Sequence, residues 1–392
     1  MNILTISTLY PNNKDPKHGV FVETRVRHLI ADYPEINTTV IAPVPWFPFS
    51  DKRFGEYAKF SGVVSQEVRH GVEIHHPKYL VLPKIGMYLT PFFMSLAIKR
   101  KLKQLIKQGQ QFDVIDGHYF YPDGVAIAQV AKEFSIPFTC TARGTDINLI
   151  PQQAKARGMI QQVFKCAAHL MTVCQALKDE MLMLGAKEEE ITVLRNGVDL
   201  NLFAASTEVE QGILKKELGI DTQLVISVGW LIERKGHYLV IEALKKLTNV
   251  TLAIAGDGPD SKKLEKLVKK LGLEKQVKFL GSLSQQELNK WFKAADVTVL
   301  ASSREGWANV LLESMASGTP VVATRVWGTP EVVASEVAGI LVERDSHSIQ
   351  EGLNQLLNNL PDRKLTREYA EKFDWHSTST GQYNIFKRII EQ

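Results

Sequence analysis

A chain of 392 residues is too long for one α/β core, and at roughly 150 residues per domain it implies two or three units, with two the expectation. Its composition, 44% hydrophobic and 23% charged, excludes disordered and collagen-like architectures. The net charge of +4 is carried by dispersed Lys and Arg, which argues against a nucleic-acid partner, since counterion replacement needs clustered cations.

Cys140, Cys166 and Cys174 show no CxxC spacing and cannot all pair, as expected of buried thiols in a reducing compartment with no structural metal. The N-terminus, MNILTIST, lacks a basic signal region and is interrupted by Tyr10-Pro11-Asn12, so it reads as a first strand. No stretch reaches the roughly 18 apolar residues of a membrane-spanning helix. The expected location is cytoplasmic, with peripheral contact at the inner face of the membrane left open.

In the first half, apolar runs predict strands at Asn2–Ser7, Thr38–Ala42, Asp113–Asp116, Pro137–Thr141, His169–Val173 and Ile191–Leu194, with helical patterns between most of them. Lys17-His18-Gly19-Val20 precedes a helix at Phe21–Ala31, where Gly19 lets backbone approach a phosphate. Trp46–Met94 is the least regular segment. It carries Trp46-Phe47-Pro48-Phe49 and Tyr88-Leu89-Thr90-Pro91-Phe92-Phe93, and a basic run follows at Lys99, Arg100, Lys101, Lys103 and Lys107. Two readings stand: a loop and solvated helix face, or a surface for an acceptor or an anionic membrane. His118 ends one strand and is expected to project toward ligand, while Arg143-Gly144-Thr145-Asp146 follows the next strand end.

Arg195-Asn196-Gly197-Val198-Asp199 contains a strong Asn-Gly turn signal, and the domain junction is placed just after it. The expected division is 1–199, 200–375, and a final helix over 376–392 that crosses back to the first domain. The second half repeats the plan, with strands at Leu224–Val228, Thr251–Ala255, Val277–Leu280, Val297–Ala301, Pro320–Ala323 and Gly339–Val342. Alternating strands and helices of this kind predict an α/β chain with parallel sheets.

In such sheets ligands bind beyond the carboxyl ends of strands. After Leu224–Val228, the loop Gly229–Gly236 holds two adjacent cations, Arg234 and Lys235, suited to neutralising a diphosphate. After Val297–Ala301 comes Glu305, then a helix start whose amides near Asn309, Val310 and Leu311 suit a phosphate, then Glu313 inside that helix. Carboxylates beside a phosphate make sense only if they hydrogen-bond neutral hydroxyls. Gly256-Asp257-Gly258-Pro259 reads as a turn. Neither GxxxxGK[ST] nor a GxGxxG after the first strand is present.

Taken together, these residues resemble the retaining family four glycosyltransferases of GT-B architecture, of the bacterial surface-polysaccharide type, along almost the whole chain. The likeness rests on Arg195–Asp199 with Phe203, Arg234-Lys235-Gly236, Gly256–Pro259, Glu305–Val322 and Phe373-Asp374-Trp375. It implies two Rossmann-like domains facing across a cleft and transfer of a sugar from a nucleoside diphosphate-sugar to a glycan or lipid-linked acceptor. The anomeric configuration is retained, and the departing phosphate helps to deprotonate the acceptor.

By that resemblance Arg234 and Lys235 contact the diphosphate, Glu305 the sugar, Glu313 the ribose and Asn309–Leu311 a phosphate. Gly19 approaches the diphosphate and His118 the sugar, with Arg143 and Asp146 on the acceptor or donor side. No cofactor is implied, the nucleoside diphosphate-sugar being a substrate. No Asp-x-Asp pair occurs in the sequence, so catalysis is expected to need no divalent metal. Trp230 and Arg143 depart from many relatives, which have Arg or Ser and His there. The Arg143–Asp146 variant resembles that of surface-polysaccharide transferases, including the teichuronic-acid type. An epimerase or hydrolase of the same architecture, and a non-catalytic nucleotide-sugar-binding protein, are the alternatives.

Overall fold

Uninterrupted runs of β-branched and aliphatic residues suit strands buried on both faces, which assemble as parallel sheets covered by helices. The structure, a computed structural model, describes residues 1–46, 60–82 and 86–392. The chain divides into two units, one formed by Met1–Arg195 with His376–Gln392 and the other by Asn196–Trp375.

The first unit contains β1 (Asn2–Ile6), β2 (Asn37–Ile41), β3 (Val44–Trp46), β4 (Gln66–Arg69), β5 (Val72–His75), β6 (Lys78–Leu80), β7 (Val114–His118), β8 (Phe138–Ala142), β9 (His169–Thr172) and β10 (Ile191–Val193). Eight of them form one sheet in the order β10-β9-β8-β7-β1-β2-β5-β4, in which β4 alone runs antiparallel to its neighbour. The chain starts at β1, grows to one side through β2 and β5, then crosses to β7 and grows the other way. The reversal therefore lies between β1 and β7, the position at which open sheets of this kind bind ligands.

The segment Trp46–Met94, expected to be irregular, supplies β4, β5 and β6, and β6 pairs with β3 in a separate two-stranded sheet. These strands escape notice because Gln66-Glu67-Val68-Arg69 and Val72-Glu73-Ile74-His75 interleave charge with apolar residues. The hairpin between them turns on His70 and Gly71, both at positive φ (51° and 80°). Phe47, Pro48 and Phe49 lie outside the described residues.

The helix Thr90–Lys107 buries Met94, Ala97, Ile98, Leu102 and Leu105 and leaves Phe92 and Ile106 exposed. The C-terminal helix Trp375–Ile390 packs Ile385, Phe386 and Ile389 against Ile3, Leu29, Val114, Met171 and Leu194, within the core of the first unit.

The second unit is a six-stranded, all-parallel sheet: β11 (Gln223–Val228), β12 (Val250–Ala255), β13 (Val277–Gly281), β14 (Val297–Leu300), β15 (Val321–Thr324) and β16 (Gly339–Val342), in the order β13-β12-β11-β14-β15-β16. In chain order this is 3-2-1-4-5-6, the doubly wound arrangement of nucleotide-binding sheets, with its reversal between β11 and β14. The division between units falls after Arg195, four residues before the expected junction. Asn196–Asp199 belongs with the second unit because the Val198 N–H donates to Phe373 O (2.9 Å) and Trp307 Nε1 donates to Asn196 O (3.0 Å). Among the described residues no helix is long and apolar enough to cross a membrane.

Candidate active site

Two loops meet at the reversal point of the second sheet. The first leaves β11 and carries Arg234 and Lys235 in a short 3-10 turn, Glu233–Lys235, before the helix His237–Ala243. The second leaves β14 and carries Ser302 to Ala308 before the helix Asn309–Ala316. Gly236 closes the first loop at φ 69°, where a Cβ would lie 2.1 Å from Ala301 O, so the two loops can touch only with glycine there. The Ser303 N–H donates to Arg234 O (2.8 Å), which joins them backbone to backbone.

Arg234, Lys235 and Glu305 converge at this junction. Lys235 Nζ lies 2.6 Å from Glu305 Oε1, and Arg234 Nη1 lies 3.9 Å from the same oxygen while donating to Arg304 O at 2.9 Å. Ser302 Oγ also donates to Glu305 Oε1 (2.6 Å). Glu305 is buried. Burial works against its charge, but Lys235 foremost, with Ser302 and Arg234, overcomes that and holds the carboxyl below its ordinary range. The two short hydrogen bonds and the longer Arg234 contact all fall on Oε1 rather than Oε2.

Glu313 stands in the opposite condition. It is partly buried on the helix Asn309–Ala316, and no described side chain pairs with it. Burial, with nothing opposing it, pushes the carboxyl up to about 7. At the start of the same helix, two of the three amides expected to be open are engaged: Asn309 N–H donates to Trp307 O (3.1 Å) and Leu311 N–H to Ala308 O (3.0 Å). Of the three, the Val310 N–H is the one without such an acceptor among the described residues. Asn309 Oδ1 accepts from Asn196 Nδ2 (3.3 Å), and Trp307 packs on Phe373 with ring centroids 5.9 Å apart.

In the first unit the sequence-derived residues have different surroundings. His118 is fully buried, with Nε2 3.1 Å from Asp116 Oδ2 and Nδ1 2.6 Å from Arg143 Nη2. A guanidinium only donates, so Nδ1 is the acceptor and Nε2 carries the proton. Burial holds the imidazole down to about 4, with Arg143 reinforcing and Asp116 opposing. The ring is thus neutral, with both nitrogens hydrogen-bonded within the first unit.

Asp146 is likewise engaged by backbone, accepting from the N–H groups of Phe120 (2.9 Å), Arg143 (3.1 Å) and Gly144 (2.8 Å). Arg143 is half-buried, its guanidinium 5.5 Å from the ring of Phe21. Gly19 caps the helix Val20–Asp32 at φ 66°, where a Cβ would meet Leu9 backbone at 2.1 Å, so packing alone requires glycine there.

Residues 22–202 match the family described as Glycosyltransferase Family 4, and residues 210–373 match Glycosyl transferases group 1. The D-inositol 3-phosphate glycosyltransferase of Corynebacterium aurimucosum is 31% identical over 306 residues, 70% of this chain and 71% of that protein. The chain belongs to glycosyltransferase family 4. It is a sugar-transferring enzyme. TuaC of Bacillus subtilis, which carries the name of a teichuronic acid biosynthesis glycosyltransferase, is 27% identical over 360 residues, 91% of this chain and 89% of TuaC. HepE of Anabaena, solved in complex with UDP and also with UDP-glucose, superposes with a TM-score of 0.73 at 20% identity, over 98% of this chain and 99% of HepE. That likeness shows a shared fold, the GT-B arrangement of two Rossmann-like domains.

Several residues of this family 4 enzyme that shape the two loop clusters carry no sequence signal of their own. Arg344, just beyond β16, donates from Nε to Ala301 O (3.2 Å) and from Nη2 to Glu233 O (3.1 Å), clasping both loops of the second unit. Asp123 spans the reversal point of the first sheet, accepting from Thr8 N–H (2.6 Å) and Thr8 Oγ1 (2.9 Å), and burial pushes its carboxyl up to about 7 despite those donors. Arg25 and Gln382 lie 357 residues apart in sequence and meet in the interior at 2.8 Å. Only a pattern of polar residues on otherwise apolar faces could have drawn attention to them.

Proposed function

We propose that the enzyme moves a sugar from a nucleoside diphosphate-sugar to a glycan or lipid-linked acceptor in surface-polysaccharide synthesis, with retention of configuration and without a divalent metal. The observation that carries this reading is the convergence of Lys235 and Arg234 on Glu305 at the β11–β14 reversal. The cations face the diphosphate, and Lys235 shares its three N–H donors between Glu305 and a phosphate oxygen. Glu305 accepts from a sugar hydroxyl through Oε2, Glu313 from the ribose hydroxyls, and the Val310 N–H donates to a phosphate.

The bond from the anomeric carbon to the phosphate oxygen breaks as the acceptor oxygen bonds to the same face of that carbon. The freed phosphate oxygen takes the acceptor's proton. Negative charge growing on the diphosphate is met by preorganised cations, which need no reorganisation during the step. Arg143, at the carboxyl end of β8, faces the sugar or the acceptor in place of His118. HepE's complexes support the choice of donor, and the name of TuaC supports the choice of acceptor.

Contact with an anionic leaflet belongs to the same reading. At the start of the helix Thr90–Lys107, Leu89 and Phe92 are exposed, and Arg100 and Lys107 are exposed further along it, whereas Lys99 and Lys103 both pair with Glu133 (2.8 and 2.9 Å). Vesicle binding is then weak, salt-sensitive and worth about 1 kcal/mol per unpaired cation.

The test is a transfer assay with UDP-sugars and polyprenyl-diphosphate-linked acceptors before and after exhaustive chelation. Activity that survives chelation and falls by orders of magnitude in Glu305→Gln, while UDP affinity holds, is the expected outcome. Activity restored only by magnesium or manganese overturns the account of the leaving group, and near-normal turnover of Glu305→Gln overturns the role of that carboxylate.

A further inference from the structure

The first unit contains a buried chain of polar side chains that runs from the C-terminal helix to Arg143. Arg25, almost fully buried, donates from Nε to Gln382 Oε1 (2.8 Å) and from Nη1 to Leu194 O (3.3 Å). Gln382 Nε2 donates to Asp116 Oδ2 (2.8 Å). The same oxygen receives the His118 Nε2 proton at 3.1 Å, and His118 Nδ1 accepts from Arg143 Nη2 at 2.6 Å. Thr139 Oγ1 touches the other oxygen of Asp116 at 3.4 Å.

The polarity of this chain admits one arrangement. Arg25 cannot accept, so the Gln382 amide oxygen must face it and the amide nitrogen must face Asp116. Arg143 cannot accept either, so the proton of His118 must sit on Nε2. Interior polar groups that merely fill space are costly, and apolar residues would pack as well. A connected network instead fixes one geometry, and the last member of this one is Arg143, half-buried after the end of β8.

We infer that Gln382, on the C-terminal helix, is a positioning residue for Arg143, acting through Asp116 and the tautomer of His118. It rests on the reading above that Arg143 faces substrate. Gln382 orients Asp116, Asp116 holds the proton of His118 on Nε2, and the bare Nδ1 orients the Arg143 fork. The last helix of the chain thereby sets a group that sequence order places 239 positions earlier.

The experiment follows ring nitrogen signals of His118 by NMR in the full-length protein, alongside turnover and UDP affinity. In the parent protein His118 shows a single neutral tautomer with the proton on Nε2. Gln382→Met retains the volume but removes both hydrogen bonds. It is expected to yield mixed tautomers and to lower kcat about tenfold, as for loss of a buried hydrogen bond. UDP affinity, which resides in the second unit, stays within twofold.

A second variant, Gln382→Asn, keeps the amide but, one methylene shorter, draws it back from both Asp116 and Arg25. It is expected to mix the His118 tautomers and to lower kcat in the same sense, and it decides the matter should Gln382→Met fail to fold. An unchanged His118 signal and turnover in either folded variant overturns the inference. Full turnover in Arg143→Ala overturns the underlying reading instead, and is distinguished by a His118 signal that still responds to Gln382.

Discussion

At the scale of single residues, Glu305 and Glu313 show how two carboxylates eight positions apart acquire opposite properties. Glu305 is held ionised by Lys235, Arg234 and Ser302, whereas Glu313 is buried without a compensating partner and is pushed up to about 7. A carboxyl whose folded value lies above its ordinary 4.5 binds more protons when folded. Its contribution is therefore favourable below that value and is lost as pH rises toward 7. Glu313→Gln should accordingly raise the melting temperature at pH 8 and have little effect near pH 4. The shift is worth at most ~3 kcal/mol by linkage, and about 1–2 kcal/mol once partial exposure is allowed for. The same substitution should weaken UDP binding by about 1.5–3 kcal/mol, since a charged acceptor to the ribose is lost. Melts at the two pH values, with and without UDP, check both effects. A variant less stable than the parent at pH 8 would show that Glu313 has a protein partner after all.

At the scale of elements, the donor loops owe their positions to two contacts made outside the charged cluster. Gly236 lets the β11 loop lie directly on Ala301 O, and Arg344 clasps that oxygen together with Glu233 O. Gly236→Ala forces a left-handed residue with a Cβ against backbone, and a loss of about 2–3 kcal/mol is expected from strain plus displacement. Arg344→Ala leaves the strands intact but frees both loops. Its expected signature is weaker UDP binding, by about 1.5–3 kcal/mol, with a melting transition that barely moves. Calorimetric titration of each variant with UDP, next to its thermal melt, tells loop positioning from global stability. Unchanged UDP affinity in both variants would place the clamp elsewhere.

At the scale of the whole molecule, the last seventeen residues, His376–Gln392, belong to the first unit although the second intervenes in sequence. Ile385, Phe386 and Ile389 enter its core, and each buried side chain of that size contributes about 1.5–3 kcal/mol. Their sum, about 5–9 kcal/mol, rivals the whole stability of a typical domain. Deleting residues 376–392 should therefore unfold the first unit and spare the second. Hydrogen exchange offers the direct measurement: amide protection is expected to vanish from β1–β10 and to persist in β11–β16. Protection retained in both sheets would mean that the helix is an ornament on the first core.

Much of this was legible in the sequence because the signals are local. Apolar runs bounded by turns marked twelve of the fourteen strands in the two main sheets, and the loops after β11 and β14 announced themselves by charge and glycine at strand ends. Strands β4 and β5 were hidden because an edge hairpin interleaves charge with apolar residues. What required the tertiary structure was the state of each polar group, since burial and partners come from distant parts of the chain. The sequence shows His118 at a strand end, and only the fold shows Asp116 and Arg143 on its two nitrogens. At Asp146 the sequence shows an acid in a strand-end loop, and only the fold shows three backbone N–H groups on it. Sequence spacing specifies which residues reach a strand end. Whether they face a ligand depends on hydrogen bonds that only the assembled sheet and its returning C-terminal helix can close.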